Sequence, residues 1–363
     1  MKTLVEEIKY HINILRREIS DQEVVEKYEE KILSLNNADL SYYFAKEIEG
    51  SNKQAHGQVV IKSKDPEYNY LYSMNIKDSD IKVHENVVLE SKDPKYNYLF
   101  AKNIEGADVN AHEQVIIESG DPEYNYQFAI FYKYLSLDMI KLHEQNIIAS
   151  GNLEYIYKFA KNIKEVNIDL LENEIVKSKN PEYCYLFAKN ISKANINFHE
   201  RIVIESGNPK YNYLFAKEIK NADVKTHEQV IIESGDPEYN YQFTKDFNGA
   251  DVQAHEKVIL ESKNLEYIYK FAKNILNGVN IQTLKEAILE SKDPEYNFLF
   301  ACYIDKYDIT DYYLTVLASG NKEYIELFRN LLPNSKNINK HTGSEYVISK
   351  FTDELSKKLT YKK

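Results

Sequence analysis

The 363-residue chain carries 46 Lys and Arg against 57 Asp and Glu, a formal net charge of -11. That balance disfavours general affinity for phosphate backbones and favours neutral or basic partners. Two cysteines, Cys184 and Cys302, exclude a disulfide framework and a four-thiolate zinc site, and they fit a reducing cytoplasm.

Residues 1–36 read as an N-terminal helical cap. Met1 to Ile19 interleaves Lys2, Glu6, Glu7, Lys9, Arg16, Arg17 and Glu18 with its apolar residues, unlike a signal peptide. Two charged helices are expected, over 3–19 and 21–35, the second opened by Ser20 with Glu23 three residues on, a capping-box pattern. No segment approaches the roughly 20 apolar residues of a membrane span, so a soluble, cytoplasmic protein is expected.

Residues 37–332 are one phrase repeated. Asp93-Pro94-Lys95-Tyr96-Asn97-Tyr98-Leu99-Phe100-Ala101-Lys102-Asn103-Ile104 returns, lightly edited, at starts 37, 65, 121, 152, 180, 208, 236, 264, 293 and 321. A period near 28 residues is too short for a unit to bury its own apolar face, so neighbours must stack. Taking the opening Asp or Asn as position 0, Asp65, Asp93, Asp121 and Asp236 precede Pro, a cap followed by a residue whose missing N–H costs nothing in the first turn. Tyr96, Phe100 and Ile104 then fall on one helical stripe, with Phe at position 7 in ten units and Tyr72 in the other. Position 8 is mostly Ala, as in Ala101, Ala129, Ala160 and Ala188, which lets another helix approach closely.

A break such as Glu105-Gly106-Ala107-Asp108 ends this A helix, and Asp108, Asp223 and Asp251 are candidate caps for a B helix, Val109 to Ser119 in this unit. The B helix closes at Ser followed by Gly120, Gly151, Gly207, Gly235 or Gly320. The predicted architecture is all-α: an α-α superhelical solenoid of about ten 28-residue hairpins with terminal capping helices, extending about 100 Å at ordinary helix spacings. Residues 333–363 form the other end, where Pro333 closes the last A helix and a polar loop leads to a final amphipathic helix over Ser344 to Leu359. The unit opening at Asp121 is three residues longer, which predicts a local bend or a shifted superhelix near 130–140. Residues 91–129 match 206–244, and the units at 152 and 264 share a variant, which points to duplication of a four-hairpin block.

The Asp-Pro opening, Ala-rich A helix and short B helix resemble the helical-hairpin repeats of the HEAT-like and leucine-rich-repeat-variant groups. That resemblance implies a binding scaffold more than an activity, because such folds host unrelated functions.

Seven of nine histidines share one column: His56, His84, His112, His143, His199, His227 and His255. The column lies mid-stripe on the B helix, seven residues before the repeated Ser, where a neutral imidazole can bond a hydroxyl or carbonyl. Helix spacing puts these rings about 10 Å apart, too far to share one metal ion, so the expected role is structural and no metal or other cofactor is predicted. Buried neutral histidines would make stability fall with pH.

Position 5 is the candidate binding site. Tyr70, Tyr98, Tyr126, Tyr157, Tyr185, Tyr213, Tyr241 and Tyr269 lie about 160° from the Phe of position 7, with Lys102, Lys161, Lys189, Lys217, Lys245 and Lys273 one turn on. Two readings stand: an exposed strip of rings edged by ammonium groups, suited to a protein partner, or rings lying across the groove between A helices under Lys stems. Phosphate-cradling loops, a nucleophile elbow and kinase signatures are missing, so no enzyme is expected. The expected function is a non-catalytic scaffold capturing a protein along the Tyr and Lys surface. The alternative is a HEAT-like nucleic-acid or nucleotide-binding protein using Tyr stacking and the Lys column.

Overall fold

The computed structural model describes residues 5–6, 8–13, 22–132, 135–306 and 309–331. Ser20 and the expected elements after Leu331, including Ser344 to Leu359, lie outside them. Within them the chain is an all-α solenoid of tandem helical hairpins, and no residue is in a strand. No helix among the described residues is long and apolar enough to cross a membrane.

One repeat shows how the sequence makes the hairpin. Asp93 Oδ1 accepts the N–H groups of Lys95 at 2.9 Å and Tyr96 at 3.2 Å, which starts the A helix Pro94–Asn103. Ile104 is extended (φ -102°, ψ 115°) while its N–H still bonds Phe100 O, and Gly106 at φ +80° turns the chain. Asp108 accepts from Ala111 N at 3.1 Å and opens the B helix Val109–Ser119 at the expected place. Ser119 explains its own recurrence: its hydroxyl donates to Ile116 O at 2.7 Å and accepts from Asp121 N at 3.1 Å, joining one helix end to the next cap. Gly120 follows at φ +67°, whereas Lys64, Lys92, Lys179, Lys263 and Lys292 take this left-handed position at φ between 53° and 56°.

The packing divides into two compact units, Met1–Lys179 with Asn190–Ala194, and Asn180–Lys189 with Asn195–Lys363. In the first, Phe44, Phe100, Phe128 and Phe159 are fully buried at position 7, beside Val60, Val88, Ile116, Ile147 and Ile175 of the B helices. In the second, Phe187, Phe215, Phe243, Phe271, Phe300 and Phe328 do the same beside Val203, Ile231, Ile259, Ile288 and Val316.

The three additional residues in the Asp121 unit go into the B helix, Leu137–Ser150, which runs 14 residues where its neighbours run 10 or 11. Ser136 caps the added turn by accepting from Met139 N at 3.3 Å. Helix takes up the insertion because Leu-Asp-Met-Ile propagates a helix from a capping Ser at no cost in new burial.

Candidate functional site

The histidine column is built into a polar rung between repeats. Asn97, at position 4, donates both hydrogens of Nδ2, to Val88 O of the preceding B helix at 3.0 Å and to Asp93 O at 2.8 Å. Its Oδ1 is therefore left to accept, and it faces His112 Nδ1 at 2.7 Å, so Nδ1 carries the hydrogen. Asn69 with His84, Asn125 with His143, Asn212 with His227 and Asn240 with His255 repeat the contact at 2.6 to 2.8 Å. Every Asn and His named here is at most 1% exposed. A hydroxyl or carbonyl partner for histidine was expected from the column's place; the sequence reading missed that a side-chain amide supplies it.

The other imidazole nitrogen meets the preceding repeat. His112 Nε2 lies 3.5 Å from Glu85 Oε1, and the pairs His56–Glu29, His143–Glu113, His227–Glu200 and His255–Glu228 span 3.2 to 3.4 Å. Each of these glutamates follows a histidine, or begins the series, but serves the histidine of the next repeat. The same oxygen accepts the N–H of the next B-helix cap: Asn52 on Glu29 and Asp108 on Glu85 at 2.5 Å, Asp223 on Glu200 at 2.6 Å, Asp251 on Glu228 at 2.7 Å. Burial lowers His112, His227 and His255 below the usual imidazole range, against the opposing pull of the glutamates, and lowers His56 and His84 to about 4. Burial also raises the carboxyl groups of Glu29 and Glu144. With Nδ1 already protonated, Nε2 of a neutral imidazole and a carboxylate face each other as two acceptors, and a hydrogen bond between them would require one further proton.

In two of the repeats that lack the histidine its partner changes too, whereas the repeat with Tyr312 in that place keeps Asn297. Leu171 stands in the histidine place where position 4 is Ile156, and Leu284 shares a core cluster with Ile268 of position 4, all at most 1% exposed. Glu144 still accepts Asn167 N at 2.6 Å, and Glu256 takes Asn280 N and the Thr283 hydroxyl, each at 2.8 Å. This paired replacement was visible in the sequence as two columns changing together.

The position-5 tyrosines lie in the groove between A helices. Tyr70, Tyr98, Tyr185, Tyr213 and Tyr241 are 5–9% exposed, and Tyr126, Tyr157 and Tyr269 are half-buried. The rings of Tyr70, Tyr98, Tyr126, Tyr185, Tyr213, Tyr241 and Tyr269 lean on the position-3 ring of the following repeat, as in Tyr98–Tyr124 with centroids 6.1 Å apart and Tyr213–Tyr239 at 5.9 Å. Their burial has a geometric cause: a stacked A helix has an A neighbour on either side and a B helix behind, so its buried arc exceeds one face. The position-3 rings, placed on the core stripe by sequence, are only half-buried where Tyr96 and Tyr124 stand.

Hydroxyls and ammonium groups form the rim of that groove. Lys102, Lys161 and Lys273 donate to the hydroxyls of Tyr98, Tyr157 and Tyr269 at 3.0–3.1 Å, and Lys245 sits 6.0 Å over the Tyr241 ring. Position 10 of the next repeat supplies another partner: Asn103 donates to Tyr70 at 2.8 Å, Asn162 to Tyr126 and Asn274 to Tyr241 likewise. Tyr185 donates to Glu218 and Tyr213 to Asp246, and those carboxylates also hold Lys189 at 2.6 Å and Lys217 at 2.7 Å. The structure thus brings every candidate Tyr of position 5 together with A-helix packing, and leaves the Lys heads at the surface.

Fold and rungs define an all-α array of tandem helical hairpins. Comparison with models of known protein families, with curated proteins and with solved structures finds no match.

Proposed function

We propose that the chain is a non-catalytic, HEAT-like repeat scaffold that binds a protein partner along the A-helix rim. The observation that carries this reading is the division of labour within each repeat. Phe at position 7, Tyr at position 5 and the His–Asn–Glu rung are used up in packing, while the Lys heads remain exposed and differ along the array in whether an acid is paired with them. Lys189 and Lys217 are paired with acids, with 42% and 46% of their side chains exposed. Lys102, Lys161 and Lys273 have no carboxylate within 4.0 Å among the described residues, so they offer cations already held in place by a tyrosine hydroxyl. Pre-ordered cations lose little entropy on meeting a carboxylate-bearing partner. Base stacking by position 5 is disfavoured, because the ring faces of Tyr98, Tyr185, Tyr213 and Tyr241 are covered by neighbouring repeats.

The test is affinity capture from the native cell with the wild-type chain and with a Lys102→Glu, Lys161→Glu, Lys273→Glu variant of unchanged circular dichroism. The reading expects a saturable protein partner that the variant releases. Equal capture by both chains, or capture of nucleic acid that collapses between about 50 and 200 mM salt, would overturn it.

A further inference from the structure

One rung is missing its glutamate. The residue after the histidine is Glu85, Glu113, Glu144, Glu200, Glu228 or Glu256 in the other repeats that carry one, and Glu172 follows Leu171 in the same column, but it is Gly57 in the B helix Lys53–Ser63. His84 is consequently the histidine of the column whose preceding repeat supplies no carboxylate. In the complete rungs that carboxylate meets two groups, an imidazole Nε2 at 3.2–3.5 Å and a cap N–H at 2.5–2.7 Å. The counterparts here are His84 Nε2 and the Asp80 N–H, and neither has a hydrogen-bond partner among the described residues.

The local structure keeps this place open. His84 is 1% exposed and its ring is fixed by Asn69 Oδ1 at 2.8 Å, with Nδ1 bearing the hydrogen. A Cβ on Gly57 would stand 3.6 Å from His84 Nε2, so glycine leaves that nitrogen facing a pocket of about 250 Å³. Tyr72, the one position-7 residue that is not Phe, stacks on His84 with centroids 4.9 Å apart, but its hydroxyl donates to Lys53 O at 2.5 Å and does not reach the imidazole. Lys53 and Gln54 also line the pocket. The charged groups beside His84 are Asp80, whose side chain caps its own helix at Val83 N, Asp78 and Lys53. Asp80 is no obstacle to an acid, since Asp108, Asp223 and Asp251 stand at the same place beside a glutamate.

We propose that this pocket binds a small carboxylic acid, whose carboxyl group takes the position that the glutamate side chain holds in the complete rungs. One oxygen accepts the Asp80 N–H and lies against His84 Nε2; the Lys53 ammonium offsets residual charge. Because His84 Nδ1–H is committed to Asn69, closing the contact requires one proton on Nε2 or on the acid. His84 is neutral until about pH 4 and a simple carboxylate is ionised near neutrality, so binding takes up one proton and tightens about tenfold per pH unit as pH falls.

Thermal melts of the full chain test this with sodium acetate against sodium chloride at equal ionic strength, at pH 7.5 and 5.5. The expected result is a saturable rise in Tm with acetate, at concentrations about 100-fold lower at pH 5.5. The double variant Gly57→Glu, Tyr72→Phe writes the neighbouring rung into this place and is expected to lose the response. Gly57→Ala, a smaller change into the same pocket, is expected to weaken it and serves if the double variant does not fold. An equal response in wild type and Gly57→Ala, an affinity independent of pH, or no response beyond that to chloride would overturn the proposal.

Discussion

Two neighbouring stretches of the first unit build the same hairpin contact from opposite chemistry. Around Asp93 it is the buried polar rung Asn97, His112 and Glu85; around Asn152 it is Ile156 against Leu171. The A helices Pro94–Asn103 and Leu153–Asn162 have the same length, and both place a fully buried Phe one turn on from position 4. The polar rung is therefore not what makes the fold. Its distinctive contribution is directional: Asn97 ties the preceding B helix, its own cap and its own histidine into one register, which an Ile–Leu contact leaves to shape alone.

The largest effect is expected where both kinds of repeat agree. Position 5 packs between A helices in either background, so Tyr185→Ala, Tyr213→Ala and Tyr241→Ala together should remove about 3 kcal/mol or more each and abolish the cooperative melt of the second unit. An unchanged melt by circular dichroism would return these rings to the surface.

Acid should separate the two kinds of rung. His56 and His84 titrate near 4 in the folded chain, and an unfolded histidine near its model value of 6.5. As pH falls through that window the unfolded chain takes up protons that the folded one refuses, so stability declines, by up to about 3 kcal/mol per histidine. Glu29 and Glu144, raised by burial, act in the opposite sense at the acid end, since the folded chain binds their protons first. Melts at pH 7.5 and pH 5 should show the lower Tm at pH 5, and converting the Asn97 and His112 rung to Ile and Leu should flatten the difference. An acid-stabilised wild type would mean the histidines are charged in the fold.

The smallest effect lies at the hairpin joints. Gly at Lys64, Lys92 or Lys292 relieves a left-handed backbone already relaxed at Gly120 and Gly235, and each substitution should stabilise by about 0.5–1 kcal/mol in denaturant titrations. A loss of stability would show that the Lys stems there contribute packing.

The hairpins were legible because their signals are local. Asp-Pro, the Phe stripe, the glycine breaks and the B-helix caps each act within a turn or two, and Asp93 and Asp108 do what their places implied. Position 5 was not decided, because an angle on one helix treats it as two-faced, whereas Tyr98 or Tyr213 is covered by the next A helix. The three residues counted as additional near 130–140 form an added helical turn at Leu137, a placement that residue counting alone does not give. Histidine's partner was readable in principle. Ile156 accompanies Leu171 and Ile268 accompanies Leu284, where five other repeats pair Asn with His. Gly57 and Tyr72 were likewise visible as departures, but only the rung geometry gives them a shared meaning.

The most direct test of the rung is a double-mutant cycle on Asn97 and His112, read by denaturant unfolding. Asn97→Ile alone strands the His112 Nδ1–H, while Val88 O keeps the Ser91 hydroxyl and Asp93 O keeps the backbone N–H of residue 97; His112→Leu alone strands the Asn97 amide oxygen, so each should cost about 2–4 kcal/mol. The two together reproduce the Ile156–Leu171 contact and should return to within about 1 kcal/mol of wild type. Additive losses would contradict the account, because they would show that the two residues do not act as one unit.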